Sequence, residues 1–420
     1  MERKKLIIIG GGFAGINVCK GLKKADLEIT IIDKKNHHLF QPLLYQAATA
    51  TLSPRDISVS LREILARQKN TTVLMGEVIS IDKKNKTITL ENGEMLQFDY
   101  LVVAIGAMHS YFGNDHWERY APGIKTIKDA LTIRNHILGS FERAEREQHT
   151  TQRQKYLNFV IVGAGPTGVE FAGTIAELIK TTLKRNFRHI DPKKANIYLI
   201  EGTERVLPPF PEKLSTYTRK TLEKMGVTVL TKTIVTEINE FGVQMHDKFI
   251  ESNNIIWAAG NSVSSMLASL DTERDRSGRV IVGEHLSIPH SPEIFVIGDC
   301  AHYKNKKGVP LPGVATVAIQ QGRYVAKLLN KLPKKSRPFS YFDKGSLATI
   351  GTGKAIASVR GFNFKGLSAW IVWVFVHVAF LIGFRNRLSV MFEWVLHHIT
   401  GARAARIIHG SLNDDNLKNK

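Results

Sequence analysis

Short, wholly apolar runs alternate along the chain with glycine turns and amphipathic stretches, the pattern of buried parallel strands joined by helices. Residues 5–15 read KLIIIGGGFAG, and an apolar run with no polar alternation predicts a strand covered on both faces. A second strand over 28–32 ends in Asp33. The same series recurs further on: residues 158–168 read NFVIVGAGPTG, and a strand over 196–200 ends in Glu201. Three more segments, DYLVVAIG (99–106), NIIWAAG (254–260) and EIFVIGDCA (293–301), each pair a strand with a small-residue turn. The polar stretch 142–155 reads as an exposed helix end and linker, and no shorter internal repeat is visible. Near the carboxyl end, residues 367–384 carry no charge. Over 388–408, Leu388, Met391, Phe392, Val395, Ile399 and Ala402 alternate at helical spacing with Glu393, His397, Arg403 and Arg406.

The glycine turns bring candidate chemistry into this pattern. Gly10, Gly12 and Gly15 form GxGxxG at a strand end: a tight turn, a close backbone approach to a pyrophosphate, and close packing of the next helix. That helix's unpaired N–H groups face the phosphate, with Phe13 and Ala14 inside the motif. Asp33 is placed for a ribose hydroxyl, with Lys34 beside it. Gly163, Gly165 and Gly168 repeat the roles. Glu201 would favour a free 2′-hydroxyl, hence NADH over NADPH, a preference that nearby Arg205 weakens. The interval from Gly168 to Glu201 exceeds the spacing of about 20 residues usual for this motif; a basic loop, RNFRHIDPKK, can absorb the excess.

Composition narrows the classes. At 420 residues, with 43% hydrophobic and 23% charged positions, the chain suits a globular protein of two or three domains. Its two cysteines, Cys19 and Cys300, form no CxxC, so neither a redox dithiol nor a cysteine zinc site is written here, and a reducing compartment fits. The apolar run after MERKK is too short for a signal-peptide core. The net charge of +20 is concentrated late: residues 334–420 hold 13 Lys/Arg against 4 Asp/Glu. Basic residues beside apolar helices point to a lipid bilayer surface rather than nucleic acid. The histidine pairs His37-His38 and His397-His398 point apart on a strand or helix, and no metal site is expected.

The segments around Gly106, Ala259-Gly260 and Gly298-Asp299, taken with both glycine motifs, resemble the two-dinucleotide flavoprotein disulfide reductase superfamily over about residues 4–329. That resemblance implies FAD on the first unit and NADH on the second, with Asp299 an FAD ligand. Four further strings, HHLFQPLLYQAAT (37–49), LPGVATVAIQQG (311–322), FDKGSLATIG (342–351) and WIVWVFVHVAFLIGFRNR (370–387), are similar to the type II, non-proton-pumping NADH dehydrogenases, essentially end to end. The implied fold class is α/β, with two Rossmann-like domains for FAD and NADH and a C-terminal helical membrane-anchoring segment. The boundaries expected are 1–115 and 266–335 for FAD, 116–154 as a helical linker, 155–265 for NADH, and 336–420 for the anchor or dimerisation segment.

The resemblance also implies roles. Gln41, Pro42 and Leu43 would line the FAD side near a quinone tunnel, with Gly106, Gly298 and Ala315 also at FAD. Glu170 would lie near the nicotinamide, with Ala259 and Gly260 at NADH. Gln320 would face flavin and quinone, and Thr316 stands where the family usually has glutamine. His377 would assist quinone protonation or simply pack. The implied activity is NADH:quinone oxidoreduction, with ubiquinone or menaquinone as acceptor. The implied setting is a homodimer lying peripherally on the cytoplasmic (or matrix-like) face of an inner membrane. In-plane helices are the expectation, and a single span over 367–384, at the lower length limit of about 17–25 residues, the alternative. The rivals are a soluble NADH:acceptor reductase, a sulfide:quinone reductase that would need paired cysteines, and a flavin-containing nucleic-acid- or protein-binding factor.

Overall fold

The computed structural model describes residues 3–184, 186–330, 337–401, 403 and 405–409. The described chain divides into two compact units, each discontinuous in sequence.

The first unit gathers residues 1–39, 59–108 and 261–343. Its sheet is centred on the strand Lys4–Ile9, which pairs in parallel with Leu27–Asp33 on one side and Tyr100–Val103 on the other. Thr71–Met75 and Ser291–Val296 extend it in parallel, and a short antiparallel strand, Ser287–Ile288, closes one edge. Leu6, Ile7, Ile8 and Ile9 are all buried, as the unbroken apolar run requires. Helix Phe13–Gly21 lies against helix Ala315–Leu329 so closely that a Cβ on Gly322 would strike the carbonyl of Ala14.

The second unit gathers residues 40–58, 109–260 and 344–420. Four parallel strands run in the order Val227–Leu230, Asn196–Ile200, Asn158–Val162, Asn254–Trp257. The stretch expected as a helical linker, 116–154, falls within this unit. Helix Ile127–Arg146 opens with a reciprocal cap between Thr126 and Asp129 and buries Ile133, Ile137 and Phe141, the last stacked on Phe159 at 5.5 Å. The polar stretch after it is mostly helix as well, Thr150–Leu157. An antiparallel sheet, Ser346–Gly351, Lys354–Val359 and Phe362–Gly366, also belongs to this unit. Its first strand packs on helix Pro166–Glu177, where a Cβ on Gly173 would overlap the Ile350 carbonyl oxygen.

The carboxyl segment departs from the single apolar span. Helix Leu367–Phe380 has 14 residues, Leu381 is extended, and a second helix runs Phe384–Thr400. Fourteen residues reach about 21 Å, short of the roughly 30 Å hydrocarbon core. Among the described residues no helix is long and apolar enough to cross a membrane. The break follows from Gly383, whose positive φ of 91° redirects the chain. In the second helix Leu388, Met391, Phe392, Val395 and Ile399 face solvent, while Val390 and Trp394 are buried. The stripe read as one apolar face is thus the outward one. Ala402, residues 410–420 and residues 331–336 lie outside the described residues.

Polar bonds dock this helix on segment 40–58. Trp394 Nε1 donates to Gln46 Oε1 at 2.7 Å, Ser389 Oγ donates to Asp56 Oδ1 at 2.7 Å, and the Asn386 amide donates to the Ser58 carbonyl at 3.0 Å. Arg403, read from sequence as part of a polar face, lies beyond the helix end and is 2% exposed. The closest approach in this unit is the most sensitive to volume. Gly173→Ala should cost about 1–3 kcal/mol, as overpacking does, and urea unfolding would measure it; an unchanged midpoint would contradict the contact.

Candidate active site

Each unit carries the same cradle. In the first, Gly10 has φ +105° and a Cβ there would collide with the Ala104 carbonyl; a Cβ on Gly15 would overlap the Gly10 carbonyl oxygen. At Gly12 nothing lies within 4 Å, so the backbone at that corner borders open space. The Gly11 N–H donates to Asp33 Oδ2 at 2.6 Å, and the Lys35 N–H donates to Oδ1 at 2.7 Å. The second unit repeats this in detail. Gly163 has φ +101° with the Ala258 carbonyl 2.9 Å from its would-be Cβ, Gly168 meets the Gly163 carbonyl, and Gly165 borders open space. The Ala164 N–H donates to Glu201 Oε2 at 2.8 Å and the Thr203 N–H to Oε1 at 2.9 Å. Glu201 therefore stands where Asp33 stands, despite the longer interval before it. Arg205 donates to the Pro208 carbonyl at 2.9 Å.

In the first unit the remaining expected residues gather around the end of the same sheet. Gly298 opens a short turn after Ser291–Val296, its N–H donating to the buried Gln321 Oε1 at 2.7 Å. Asp299 follows, half-buried, with its carboxyl group 3.2 Å from the position a Gly313 Cβ would take. Ala315 starts a helix, so its N–H points out of the helix end. Gly106 borders open space. Lys34 is paired with Glu77 at 3.5 Å on the surface. Thr316 Oγ1 shares a hydrogen bond with the Tyr341 hydroxyl at 3.0 Å. Gln320 donates to the Phe342 carbonyl at 2.9 Å and accepts from its N–H at 3.0 Å, so both ends of its amide hold backbone. The open corners at Gly12 and Gly106, beside an acid at a strand end, fit a dinucleotide such as FAD.

Gln41 and Pro42 belong to the second unit, where the Gln41 amide donates to the Lys125 carbonyl at 3.3 Å. Glu170 lies on helix Pro166–Glu177; burial pushes its carboxyl up to about 8, against a long bond of 3.5 Å from the Thr349 N–H. Ala259 and Gly260 follow the strand Asn254–Trp257, and a Cβ on Gly260 would meet the Ser110 carbonyl at 2.7 Å. His377 donates from Nδ1 to the Trp373 carbonyl at 2.7 Å and stacks on the Trp373 ring at 4.1 Å. Burial lowers it to about 4, so it is neutral at pH 7.

Sequence reasoning missed two residues here. His38 is buried under Gly11, with Nδ1 3.1 Å from the Gly11 carbonyl and burial lowering it to about 4. Arg403 donates to the carbonyls of Thr49 at 2.6 Å and Thr174 at 2.9 Å, and lies 3.9 Å from Glu177. Neither carries a local signal, since each is defined by chain segments remote in sequence. Cys19 and Cys300 are both buried, with thiols pushed to about 12, so neither offers a thiolate at neutral pH.

Comparison with known proteins decides the family. Residues 4–322 match the pyridine nucleotide-disulphide oxidoreductase model, and residues 344–403 match the NDH2 C-terminal domain. A Mycobacterium tuberculosis protein named type II NADH:quinone oxidoreductase Ndh is 43% identical over 96% of this chain and 89% of its own length. The chain belongs to the type II NADH:quinone oxidoreductase family. A more distant relative, a probable NADH dehydrogenase of Dictyostelium discoideum, is 30% identical over 96% of this chain and 91% of its own length. The fold is also that of NDH2 from Plasmodium falciparum, solved in complex with NADH (TM-score 0.89, 23% identity, 97% of this chain and 100% of that one). Membership of this family gives FAD and NADH as the chain's two dinucleotides.

The Glu170 shift has a pH consequence. Its folded value of about 8 exceeds the ordinary 4.5, so the stability it contributes is complete below about 4.5 and is lost as pH rises to about 8. Glu170→Gln should therefore gain stability relative to the parent protein across that window and run parallel to it below; denaturant titrations at pH 4, 6 and 8 would show this, and a constant gap would refute the burial of the acid.

Proposed function

We propose that this chain is an FAD-dependent NADH:quinone oxidoreductase that does not pump protons. The observation that carries the reading is the doubled cradle in a chain whose two thiols are both inert: two dinucleotides are held, yet no disulfide can serve as acceptor. FAD, when bound, takes two electrons from NADH and passes them to the quinone.

The chain's own contribution is binding, alignment and proton handling. Gly10, Gly12 and Gly15, with Asp33, Gly298, Asp299 and the helix end at Ala315, hold FAD. Phe13, Ala14, Lys34 and Gly106 border that site. Gly163, Gly165, Gly168, Ala259 and Gly260 hold NADH, and Glu201 accepts from its adenosine ribose. A 2′-phosphate would meet the Glu201 carboxylate, so NADPH is disfavoured. Glu170, protonated at neutral pH because burial disfavours its charge, holds a proton for quinone reduction. Gln320 fixes the backbone at Phe342, and Thr316 holds the Tyr341 hydroxyl, so both act through the loop they hold. Gln41 and Pro42 shape the wall of segment 40–58. His377, neutral and stacked, packs rather than shuttles protons.

Quinone is itself dissolved in lipid, and the exposed apolar faces of the two carboxyl-terminal helices supply the means of reaching it. Ile371, Phe375, Phe384, Phe392, Val395 and Ile399 all face outward. Such helices lie in the membrane interface rather than across it. This supports a peripheral enzyme on the cytoplasmic (or matrix-like) face of an inner membrane, and in a homodimer two such helix pairs could share one surface.

Purified protein should be yellow, and NADH should bleach it far faster than NADPH; added quinone should restore the colour. Equal rates with both nucleotides would remove the role of Glu201, and a colour that quinone leaves bleached would overturn the activity. A chain with Phe375→Glu and Ile399→Glu should stay folded and yellow but cease to sediment with liposomes, and undiminished sedimentation would defeat the in-plane anchor.

A further inference from the structure

Each cradle turns on one peptide group: Gly11–Gly12 in the first unit and Ala164–Gly165 in the second. The backbone just beyond it is alike in both, with φ −74° and ψ −166° at Gly12 and φ −68° and ψ −176° at Gly165. In a planar trans peptide the carbonyl and the following N–H point in opposite directions. Whatever holds the Gly11 or Ala164 carbonyl therefore sets where the Gly12 or Gly165 N–H points. Both N–H groups stand at the open corner of their cradle, with no acceptor among the described residues.

The two carbonyls are held by different means. That of Ala164 accepts from the backbone N–H of Leu207 at 2.8 Å. That of Gly11 meets a side chain instead, His38 Nδ1 at 3.1 Å. A carbonyl oxygen can only accept, so Nδ1 carries the proton and the neutral ring leaves Nε2 bare. Nε2 is buried with no partner, and the Phe13 ring meets the imidazole edge-on at 5.0 Å. A half-satisfied buried imidazole is uncommon, and the one hydrogen bond it makes is to the turn.

The first turn needs such an anchor more than the second. Gly10, Gly11 and Gly12 have no Cβ, so little steric restraint keeps the Gly11–Gly12 peptide from rotating. Rotated by half a turn, it would present a carbonyl oxygen, rather than an N–H, to a pyrophosphate. In the second turn Ala164 supplies a Cβ, and a backbone donor holds the peptide.

We propose that His38 is a positioning residue for FAD: by pinning the Gly11 carbonyl it keeps the Gly12 N–H turned towards the flavin pyrophosphate. The inference rests on FAD occupying the first cradle, as proposed above. His38 does not touch the cofactor in this account; it acts through the peptide it holds. The second cradle has its own anchor in Leu207, so loss of His38 weakens the hold on FAD and leaves the nicotinamide nucleotide's site intact.

The test uses the flavin-loaded full chain with His38→Leu and His38→Asn. Leucine keeps apolar bulk and removes the donor; asparagine loses bulk but places an amide N–H near the position of Nδ1. Flavin release on dilution, followed by the rise in free-flavin fluorescence, should be about ten-fold faster in His38→Leu, the order expected for one lost hydrogen bond and a stranded carbonyl. His38→Asn should restore most of the slow release, whereas packing alone would make it the worse of the two. NAD⁺ affinity, read by calorimetry on the same proteins, should match the parent in both. Parental release from His38→Leu, or release from His38→Asn as fast as from His38→Leu, would overturn the assignment, and so would an equal loss of NAD⁺ affinity. If His38→Leu does not fold, nitrogen NMR of the histidine-labelled parent decides: His38 should carry its proton on Nδ1, and a proton on Nε2 would overturn the bond to Gly11. A parent protein that holds no flavin and takes none up defeats the FAD reading itself.

Discussion

One backbone contact, made twice, sets the geometry on which everything else rests. In each unit the helix after the glycine turn lies against the carbonyl of the turn's first glycine, at Gly15 on Gly10 and at Gly168 on Gly163. No side chain fits between them. That closeness aims the helix end at the sheet's edge and brings the loop N–H groups of Gly11 and Ala164 to the carboxylates of Asp33 and Glu201. Those bonds hold the acids pointing into the cradle, and the open corners at Gly12 and Gly165 follow from the same placement. Binding of two nucleotides is thus a consequence of packing, not of any strongly reactive side chain.

The second unit shows how a nucleotide-binding sheet comes to carry exposed apolar helices. The strand Ser346–Gly351 comes within backbone distance of the helix that bears Glu170. The last helix is held by Trp394, Ser389 and Asn386 to segment 40–58. With its inner face occupied by these bonds and by Val390 and Trp394, its apolar residues are left on the outside. Outward hydrophobicity here results from where the polar anchors are, and it requires no helix long enough to span a bilayer.

Both cradles were legible in the sequence because their determinants are local: strand, glycines and terminal acid within a few dozen positions. Even the long interval to Glu201 did no harm, since the strand Asn196–Ile200 is recognisable by itself. What was not legible depends on remote partners. The stretch 142–155 reads as an exposed helix end and linker, but its polarity does not reveal that the helix ending there buries Phe141 against Phe159. The run 367–384 looks continuous by hydropathy, and only the turn at Gly383 divides it. Arg403 looks like a surface cation, but three carbonyl and carboxylate groups from two distant segments draw it inside. Gln320 is expected by resemblance to face flavin and quinone, and only the fold shows that Phe342 engages both ends of its amide.

The burial of Arg403 bears on how the polypeptide is made. Segment 40–58 leaves the ribosome early, but its Thr49 carbonyl receives the Arg403 guanidinium only once a residue 354 positions further on has been made. The first unit likewise waits for Ser291–Val296 and Ala315–Leu329 before its sheet and helix pair are complete. Neither unit can therefore mature in the domain-by-domain order common for larger chains. Apolar strands translated early therefore stay incompletely covered until these later segments have been made.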